Sequence, residues 1–385
     1  MIKIQNDLKI KSVSIVPYRL DFRMNVVHSL ASRSSTVNIC VIIESEDGLK
    51  GYGECVPRSY VTGETPKSVM KSLENMITGF AARSFDSPGH IIDMIKNLRG
   101  TEEGIDNPAA LCALELALLD LGGKYWNNTI IEMLGLTNSN RSLTYSLVVP
   151  LLPGKALEKF LDYALPYELK HAKIKVDADN PRKHVLNVKS LLGDDVEIRV
   201  DANCSWSRTD AKRFMREMAE IGVVSVEQPL PANDLEGTAR LRTANMPLII
   251  LDEAVWTEND VKRIADIGAG DVINVRISKC GGLLGALKVV EAASEHDIEI
   301  QLGSHVGESC ILSAAGAHLA SGVSGFRWLE GCFGTHLLSS DLCEETYRFE
   351  HGGSFNLPEG PGLGVAVSES QLENNRLIFN EMVNA

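Results

Sequence analysis

Three acidic residues recur at intervals that match one strand–helix unit of an α/β protein. Asp201, Glu227 and Asp252 each follow or close a short apolar run, and they are 26 and 25 residues apart. Acids at the carboxyl ends of successive parallel strands meet at one end of a barrel, where barrel active sites lie. An all-oxygen ligand set favours Mg²⁺ first and Mn²⁺ second. The spacing predicts a divalent metal site, although each acid alone could simply cap the following helix.

Two lysines lie one unit upstream of the first acid. Strand alternation directs Lys173 and Lys175 to the same face, and Lys175 precedes Asp201 by 26 residues. Ammonium groups inside a barrel are costly without a purpose, and two neighbours disfavour each other's charged form. We therefore expect one lysine to act as a base. A solvated edge strand is the alternative, and the spacing counts against it.

Polar residues also follow the later strands. Arg276 shares a strand face with Asn274 and Ser278. Its guanidinium should therefore enter the barrel opposite Lys175, whereas Lys279 should point elsewhere or lie at the strand tip. The candidates for substrate contact after the seventh and eighth strands are Ser304, His305, Glu308 and Glu330. Each of them could instead have a capping or surface role.

Alternating strands and helices position these residues. Eight strands are predicted, at residues 145–149, 172–176, 196–200, 223–227, 248–251, 272–277, 298–302 and 326–329. Helices are predicted between them, at residues 155–165, 182–192, 210–221, 258–267 and 284–296. This alternation implies parallel pairing and a closed (β/α) barrel. An open doubly wound sheet is not supported, because no G-x-G-x-x-G motif follows an early strand.

The flanking regions have other patterns. Before about residue 140 the chain reads as α+β, with strands at 13–18, 36–44 and 49–54 and helices at 67–80, 91–98 and 107–125. The second and third strands form a hairpin, and Asn107-Pro108 supplies a cap and a first-turn proline. After residue 341 the barrel pattern stops, and residues 361–367 predict a strand that returns to the first domain. The expected domains are 1–140, 141–340 and 341–385.

The composition of the chain excludes some classes of function. The 385 residues are 44% apolar and carry a net charge of −13, which argues against a nucleic-acid surface. The first residues lack the apolar core of a signal peptide, and no apolar stretch is long enough for a membrane span. The eight cysteines contain no C-x-x-C pair, so reduced, buried thiols are expected. We expect a cytoplasmic protein, without membrane partners, that forms a homo-oligomer.

Together these motifs resemble the enolase superfamily, specifically the muconate lactonizing enzyme subgroup of the mandelate racemase/muconate lactonizing enzyme family. The resemblance spans nearly the whole chain. It rests on Gly51-Tyr52-Gly53-Glu54, Lys173-Ile174-Lys175, Asp201-Ala202-Asn203, Glu227-Gln228-Pro229, Asp252-Glu253 and Lys279-Cys280-Gly281-Gly282. It implies a (β/α)7β modified TIM barrel, with an α+β N-terminal capping domain that the C-terminal tail completes.

The resemblance also implies roles for individual residues. Asp201, Glu227 and Asp252 would bind Mg²⁺, to which the substrate carboxylate would also bind. Lys175 would remove the α-proton to give an enediolate, and Lys173 would lower the base's proton affinity and stabilise that enediolate. The substrate would be a small carboxylate of the N-acyl amino acid, dipeptide or hydroxy acid class. The loop at residues 28–33 and the segment 57–64 would shape the pocket, and the further residues expected to contact substrate are Asn203, Lys279, Arg58 and Tyr60.

Two departures from the family pattern leave the overall reaction open. Arg276 stands where the family usually has a second lysine. Arginine is a poor partner in proton exchange, so we expect Arg276 to act as a permanent cation that stabilises the enediolate and not as a second base. Glu330 is a single acid where dipeptide epimerases tend to have a pair. An isomerase or cycloisomerase is the leading interpretation. The alternatives are a one-base lyase, either a dehydratase or an o-succinylbenzoate-synthase-like enzyme, and, less consistent with the intact acids and lysines, a non-catalytic binding protein.

Overall fold

The first domain is an antiparallel sheet covered by helices. The computed structural model describes residues 7–28, 31–137, 140–345 and 347–378. The strands of this domain, in the sheet order β3-β2-β1-β4, are β1 (Leu8–His28), β2 (Ala31–Ser45), β3 (Lys50–Cys55) and β4 (Ser84–Phe85). Its helices are α1 (Pro66–Met76), α2 (Pro88–Arg99), α3 (Glu102–Asp106), α4 (Pro108–Trp126) and α5 (Ile130–Met133). The predicted hairpin is confirmed, since β2 and β3 pair antiparallel.

Helix α4 packs directly on strand β3. Two glycines of that strand permit the close approach, because a Cβ added at Gly53 would lie 1.9 Å from the carbonyl oxygen of Ala113. The helix is buried over most of its Ala- and Leu-rich length, and Pro108 occupies its first turn as predicted. Asn107 is the N-cap residue, but its side chain makes no capping hydrogen bond.

Eight parallel strands in chain order form the second region. A short strand, β5 (Ser142–Thr144), precedes them, and they are β6 (Leu147–Val149), β7 (His171–Lys175), β8 (Glu197–Asp201), β9 (Ser225–Glu227), β10 (Leu248–Leu251), β11 (Val272–Val275), β12 (Glu299–Leu302) and β13 (Phe326–Leu329). Beside β6, Tyr145 bridges Leu329 of β13, which joins the two ends of the sheet. The predicted barrel is confirmed.

Seven helices connect the eight barrel strands. They are α6 (Gly154–Ala164), α7 (Pro181–Leu192), α8 (Arg208–Glu220), α9 (Leu235–Ala239), α10 (Glu258–Ile267), α11 (Leu283–Glu295) and α12 (Cys310–Gly322). Short 3₁₀ turns follow α6 at Leu165–Tyr167 and β13 at Gly334–His336. This order is the (β/α)7β arrangement. Among the described residues, no helix is both long and apolar enough to cross a lipid bilayer.

The tail contacts both regions. Its strand β14 (Ser354–Asn356) pairs with β5, and the chain ends with helix α13 (Glu369–Asn374). Residues 361–367, predicted as a strand, make isolated bridges instead, because Gly362 and Gly364 have φ values of 66° and 68° that interrupt an extended backbone. The segment nevertheless reaches the first domain, where the backbone N–H of Leu363 donates to Asp120.

One cysteine prediction is wrong. A disulfide joins Cys310, at the start of α12, to Cys343 in the tail, although reduced thiols were expected throughout. The two residues are 33 apart in the sequence, and the fold brings them together because the tail passes the start of α12. The remaining six cysteines carry free thiols.

Candidate active site

The central strands of the barrel bring the predicted lysines and acids together. Lys173 and Lys175 both lie on the inner face of β7, and the register pairs Lys175 with Asp201 of β8. The Lys175 amine donates to the carboxylate of Asp201 and to the side-chain oxygen of Asn203, each at 2.8 Å. The Lys173 amine lies 3.2 Å from Glu227 and 3.6 Å from Asp201. Both amines therefore point at carboxylates of the neighbouring strands.

The third acid has cationic partners of its own. Asp252 follows β10, and its carboxylate accepts hydrogen bonds from Arg276 and, at 2.7 Å, from Lys279. Arg276 follows β11 and also lies 3.8 Å from Glu227. Lys279 is fully buried and donates to the backbone carbonyls of Asp252 and Asn274 as well. The structure thus places Lys279 beneath the site, where it holds the Asp252 loop.

Charge and burial act in opposite directions on these groups. Burial alone would raise the pKa of Asp201, but Lys175 and Lys173 bring it well below its usual range. Burial raises the pKa of Glu227 to about 7, although the ammonium group of Lys173 acts in the opposite direction. Burial would lower the pKa of Arg276, yet the carboxylates of Asp252 and Glu227 raise it above its ordinary value. Arg276 therefore stays protonated across the physiological range.

We expected each of the two lysines to disfavour the charged form of the other. At Lys173, nearby carboxylates outweigh that effect. Burial by itself lowers the pKa of Lys173, but the carboxylates of Glu227 and Glu330 raise it above the ordinary value. Lys173 is therefore held as a cation by the three acids Glu227, Glu330 and Asp201.

The residues fit a divalent cation by their chemistry. Asp201, Glu227 and Asp252 have no solvent exposure, and their oxygens already bind the cationic nitrogens of Lys173, Lys175, Arg276 and Lys279. Within the described parts of the chain, no three His, Cys, Asp or Glu side chains lie close enough together to hold a metal ion as they stand. The three carboxylates nevertheless lie at the ends of the adjacent strands β8, β9 and β10, and a set of carboxylate oxygens is the ligand type that Mg²⁺ prefers.

A cavity opens over this charged cluster. Eight of the residues predicted to act on or contact substrate line it: Tyr60, Lys173, Lys175, Asn203, Arg276, Ser304, His305 and Glu330. Three others lie outside its wall: Arg58, Lys279 and Glu308. Part of the predicted loop at residues 28–33, namely Ser29 and Leu30, lies outside the described residues. From the same hairpin, Met24 and Val26 line the cavity.

The loop after β12 contributes an imidazole and a carboxyl group. Burial lowers the pKa of His305 well below its ordinary value, and Arg276 and Arg58 add to the effect, so the ring is neutral. Its Nδ1 makes no hydrogen bond within the described chain. Burial raises the pKa of Glu308 to about 8, and its carboxyl group accepts from the backbone N–H of His305. Arg58 is buried and bonds to Thr36 and the carbonyl of Val306, which fixes the roof of the cavity.

Glu330 forms ion pairs with two neighbouring cations. Its carboxylate lies 2.5 Å from the Lys173 amine and 2.8 Å from Arg199, which is buried in the barrel interior. Gln301 completes this network by bonding to Arg199 and Glu227. The single acid after β13 is therefore an internal partner of Lys173.

Sequence reasoning missed a group of apolar residues in the cavity wall. They come from α6 and the segments after α6 and β13, and the aromatic members are Phe160, Tyr163, Tyr167, Phe333 and Phe349. An aromatic residue in a helix or loop is ordinarily part of a core, so no spacing or motif marks these five as cavity residues. Glu253, which also lines the cavity, follows Asp252 and was part of a recognised motif.

Comparison with known proteins identifies the family of the chain. Residues 10–135 match the N-terminal domain of the mandelate racemase/muconate lactonizing enzyme family, and residues 156–371 match the enolase C-terminal-domain-like family. The chain belongs to the muconate lactonizing enzyme subgroup of the enolase superfamily. The predicted family membership is therefore confirmed.

Relatives in this superfamily are similar over nearly their whole length. The N-succinyl-L-Arg/Lys racemase of Bacillus cereus is 28% identical, with 98% of this chain and all of the relative covered, and its crystal structure has a TM-score of 0.88. A dipeptide epimerase of Enterococcus faecalis, whose structure contains Mg and the dipeptide L-Leu-L-Tyr, is 25% identical over 93% of this chain and all of that one, with a TM-score of 0.83.

A third relative carries out a different isomerisation. The muconate cycloisomerase 1 of Acinetobacter baylyi is 27% identical, with 91% of this chain and 95% of the relative covered. The relatives are racemases, epimerases and cycloisomerases, so this member of the enolase superfamily is an enzyme of the isomerase class. The lyase alternative is not favoured.

Proposed function

We propose that this enzyme moves a proton at the carbon next to the carboxylate of a small-molecule substrate, with Lys175 as its acid–base group. The position of the Lys175 amine carries the proposal, because it lines the cavity and is held by Asp201 and Asn203. A positioned amine that gives and takes a proton contributes about 10²–10⁴-fold to such a reaction. The substrate belongs to the N-acyl amino acid, dipeptide or related carboxylate class on which the relatives act.

The metal ion and the Lys173 ammonium group would both stabilise the negative charge that forms when the proton leaves. Asp201, Glu227 and Asp252 would hold Mg²⁺, or Mn²⁺ in its place, and the bound ion supplies positive charge that acidifies the carbon next to the substrate carboxylate. Lys173 keeps its proton because Glu227 and Glu330 raise its pKa. Its ammonium group therefore stabilises negative charge while Lys175 holds or returns the proton.

Arg276 decides which kind of isomerisation this site favours. Its guanidinium lines the same cavity and is bound to Asp252, so it supplies a permanent positive charge. An arginine does not give up its proton near neutral pH. Epimerisation needs an acid–base group on each face of the planar intermediate, whereas cycloisomerisation needs only one. The site therefore favours proton transfer on a single face.

Epimerisation is the second candidate because of His305. This neutral imidazole lines the cavity, and its Nδ1 has no hydrogen-bond partner within the described chain. A neutral imidazole can act as a general acid–base group where an arginine cannot.

Solvent deuterium exchange tests the proposal and separates the two candidates. Each pure enantiomer of a panel of N-acyl amino acids and dipeptides is incubated with the enzyme and Mg²⁺ in D₂O and followed by NMR. We expect one enantiomer to take up deuterium and to keep its configuration. Exchange of both enantiomers with interconversion, lost in His305→Asn and retained in Arg276→Gln, would identify the epimerase. No exchange with any compound would overturn the proposal.

A further inference from the structure

The cavity has an apolar part as well as a catalytic part. Its apolar wall, defined here as Phe160, Tyr163, Tyr167, Phe333, Leu337 and Phe349, comes from α6, the turn that follows it, the segment after β13 and the tail. Phe160, Tyr167, Phe333 and Leu337 are only partly buried, so apolar surface faces the cavity. The wall is continuous with the cavity that Lys173, Lys175 and Arg276 line.

The imidazole ring of His336, which packs against the wall and also lines the cavity, is electrically neutral. The Nε2 atom of His336 lies 2.7 Å from the carbonyl oxygen of Phe349, and a carbonyl can only accept. Nε2 therefore carries the proton, and Nδ1 accepts the hydrogen bond from the Tyr163 hydroxyl at 2.9 Å. Burial lowers the pKa of His336, which keeps the ring uncharged.

Ring contacts fix the shape of the wall. The His336 ring lies 4.6 Å from that of Tyr167 and 4.3 Å from that of Phe349, and the Phe333 and Phe349 rings are 5.5 Å apart. Edge and tilted contacts of this kind hold aromatic side chains in place. The wall is therefore a preformed apolar surface.

No acid of the wall could pair with a cationic substrate group. Of the described residues that line the cavity, the carboxylates are those of Glu253 and Glu330. Glu330 is bound by Lys173 and Arg199. Glu253 accepts from Asn203 at 3.2 Å through one oxygen, and its other oxygen is buried without a hydrogen bond to the described residues. Both acids therefore belong to the catalytic part of the cavity. A cation placed against the wall would lose its hydration and gain only contacts with ring faces, because the wall has no carboxylate to pair with it.

We infer that the substrate is a carboxylate whose far end is an uncharged aromatic or branched aliphatic group, which packs on the apolar wall. The inference rests on the proposed function, because that function places the carboxylate end at the lysines. An aromatic group buries a large apolar area and adds ring contacts with Phe160, Tyr167 and Phe333. The apolar wall then selects the substrate, and the charged cluster acts on it.

Binding measurements with a matched pair of probes test this inference. N-acetyl-L-phenylalanine and Nα-acetyl-L-lysine share the carboxylate and the α-carbon but differ in the charge of the side chain. We expect the wild-type enzyme with Mg²⁺ to bind the phenylalanine compound at least about tenfold more tightly by calorimetry. Phe160→Asp should lower the ratio of the two affinities or reverse the preference. Phe160→Asn, which removes the ring without adding charge, should weaken the phenylalanine compound and leave the lysine compound unimproved.

The outcomes separate the substrate inference from the proposed reaction. Equal or tighter binding of the lysine compound, no binding of either compound, or a ratio unchanged by Phe160→Asp would overturn the inference. Deuterium exchange is measured on the same pair. Faster exchange of the lysine compound would reject the apolar substrate while keeping the proton transfer. Tight, apolar-selective binding without exchange of either compound, in its L form or its D form, would keep the substrate class and reject the proton transfer.

Discussion

The catalytic and apolar parts of the cavity are assembled in different ways. The catalytic residues lie on neighbouring strands, and the barrel register pairs Lys175 with Asp201 and Asp201 with Glu227. The apolar wall instead combines Phe160 of α6 with Phe333 and Phe349, which follow the last barrel strand. Barrel hydrogen bonds therefore position the residues proposed to act on the substrate, whereas segments outside the sheet form the wall proposed to select it. The wall can change without disturbing the acids and lysines.

The largest effect is expected from removing one acid of the catalytic part. Glu227→Gln removes a charged oxygen ligand, so Mg²⁺ affinity should fall and turnover should be abolished. Calorimetric titration with Mg²⁺ and deuterium exchange measure the two effects. Glu253→Gln is the matched control, because Glu253 lies next to Asp252 but is not assigned to the metal, and it should still bind Mg²⁺. Unchanged Mg²⁺ affinity in Glu227→Gln would remove Glu227 from the ligand set.

A smaller but still severe loss is expected at Lys175. Lys175→Ala should reduce α-proton exchange by about 10²–10⁴-fold, because the amine that carries the proton is gone. Substrate and Mg²⁺ should still bind. Lys175→Met, which fills the same space without an amine, should show the same loss and so exclude a cavity effect. Exchange at the wild-type rate in both variants would mean that another group is the base.

Changing the apolar wall should alter binding more than chemistry. Phe333→Ala should raise KM for an aromatic substrate by roughly tenfold while kcat changes little, since the ring contacts the substrate away from the reacting carbon. Steady-state kinetics with an aromatic and a small carboxylate substrate measure the difference. An equal loss of kcat with both substrates would show that the two parts of the cavity are not separable.

The smallest effect concerns a neutral acid behind the cavity. Because burial raises the pKa of Glu308 to about 8, the folded enzyme holds this carboxyl protonated while the unfolded chain ionises near 4.5. Its contribution to stability is complete below about pH 4.5 and is lost as the pH rises to about 8. Glu308→Gln should remove this dependence. Urea unfolding at pH 5 and pH 8.5 should show the variant gaining, relative to wild type, on the order of 1 kcal/mol or more at the higher pH. A difference independent of pH would mean that Glu308 is already ionised in the folded enzyme.

Much of the barrel could be predicted from the sequence because its signals are local. Apolar runs at a regular repeat predicted all eight strands, and β10 (Leu248–Leu251) and β13 (Phe326–Leu329) have the predicted bounds. Other strands are shorter than expected: β9 begins at Ser225 and not at Val223, although the backbone N–H of Val224 still donates to the carbonyl of Ile198. The tail strand was misplaced, since β14 forms at Ser354–Asn356 and the glycines after Pro361 break the extended backbone.

The sequence by itself determined which side chains could do the chemistry. The alternation of a strand and the length of one βα unit are enough to bring Lys173, Lys175 and the three acids to one end of the barrel. Tertiary structure alone decided how these groups pair: Glu330 bonds to Lys173, Lys279 lies beneath Asp252, and Cys310 meets Cys343. It alone also produced the apolar wall. Strand periodicity is a short-range property that the chain repeats, whereas a wall built from a helix, a turn and a tail depends on contacts between distant segments that no local pattern records.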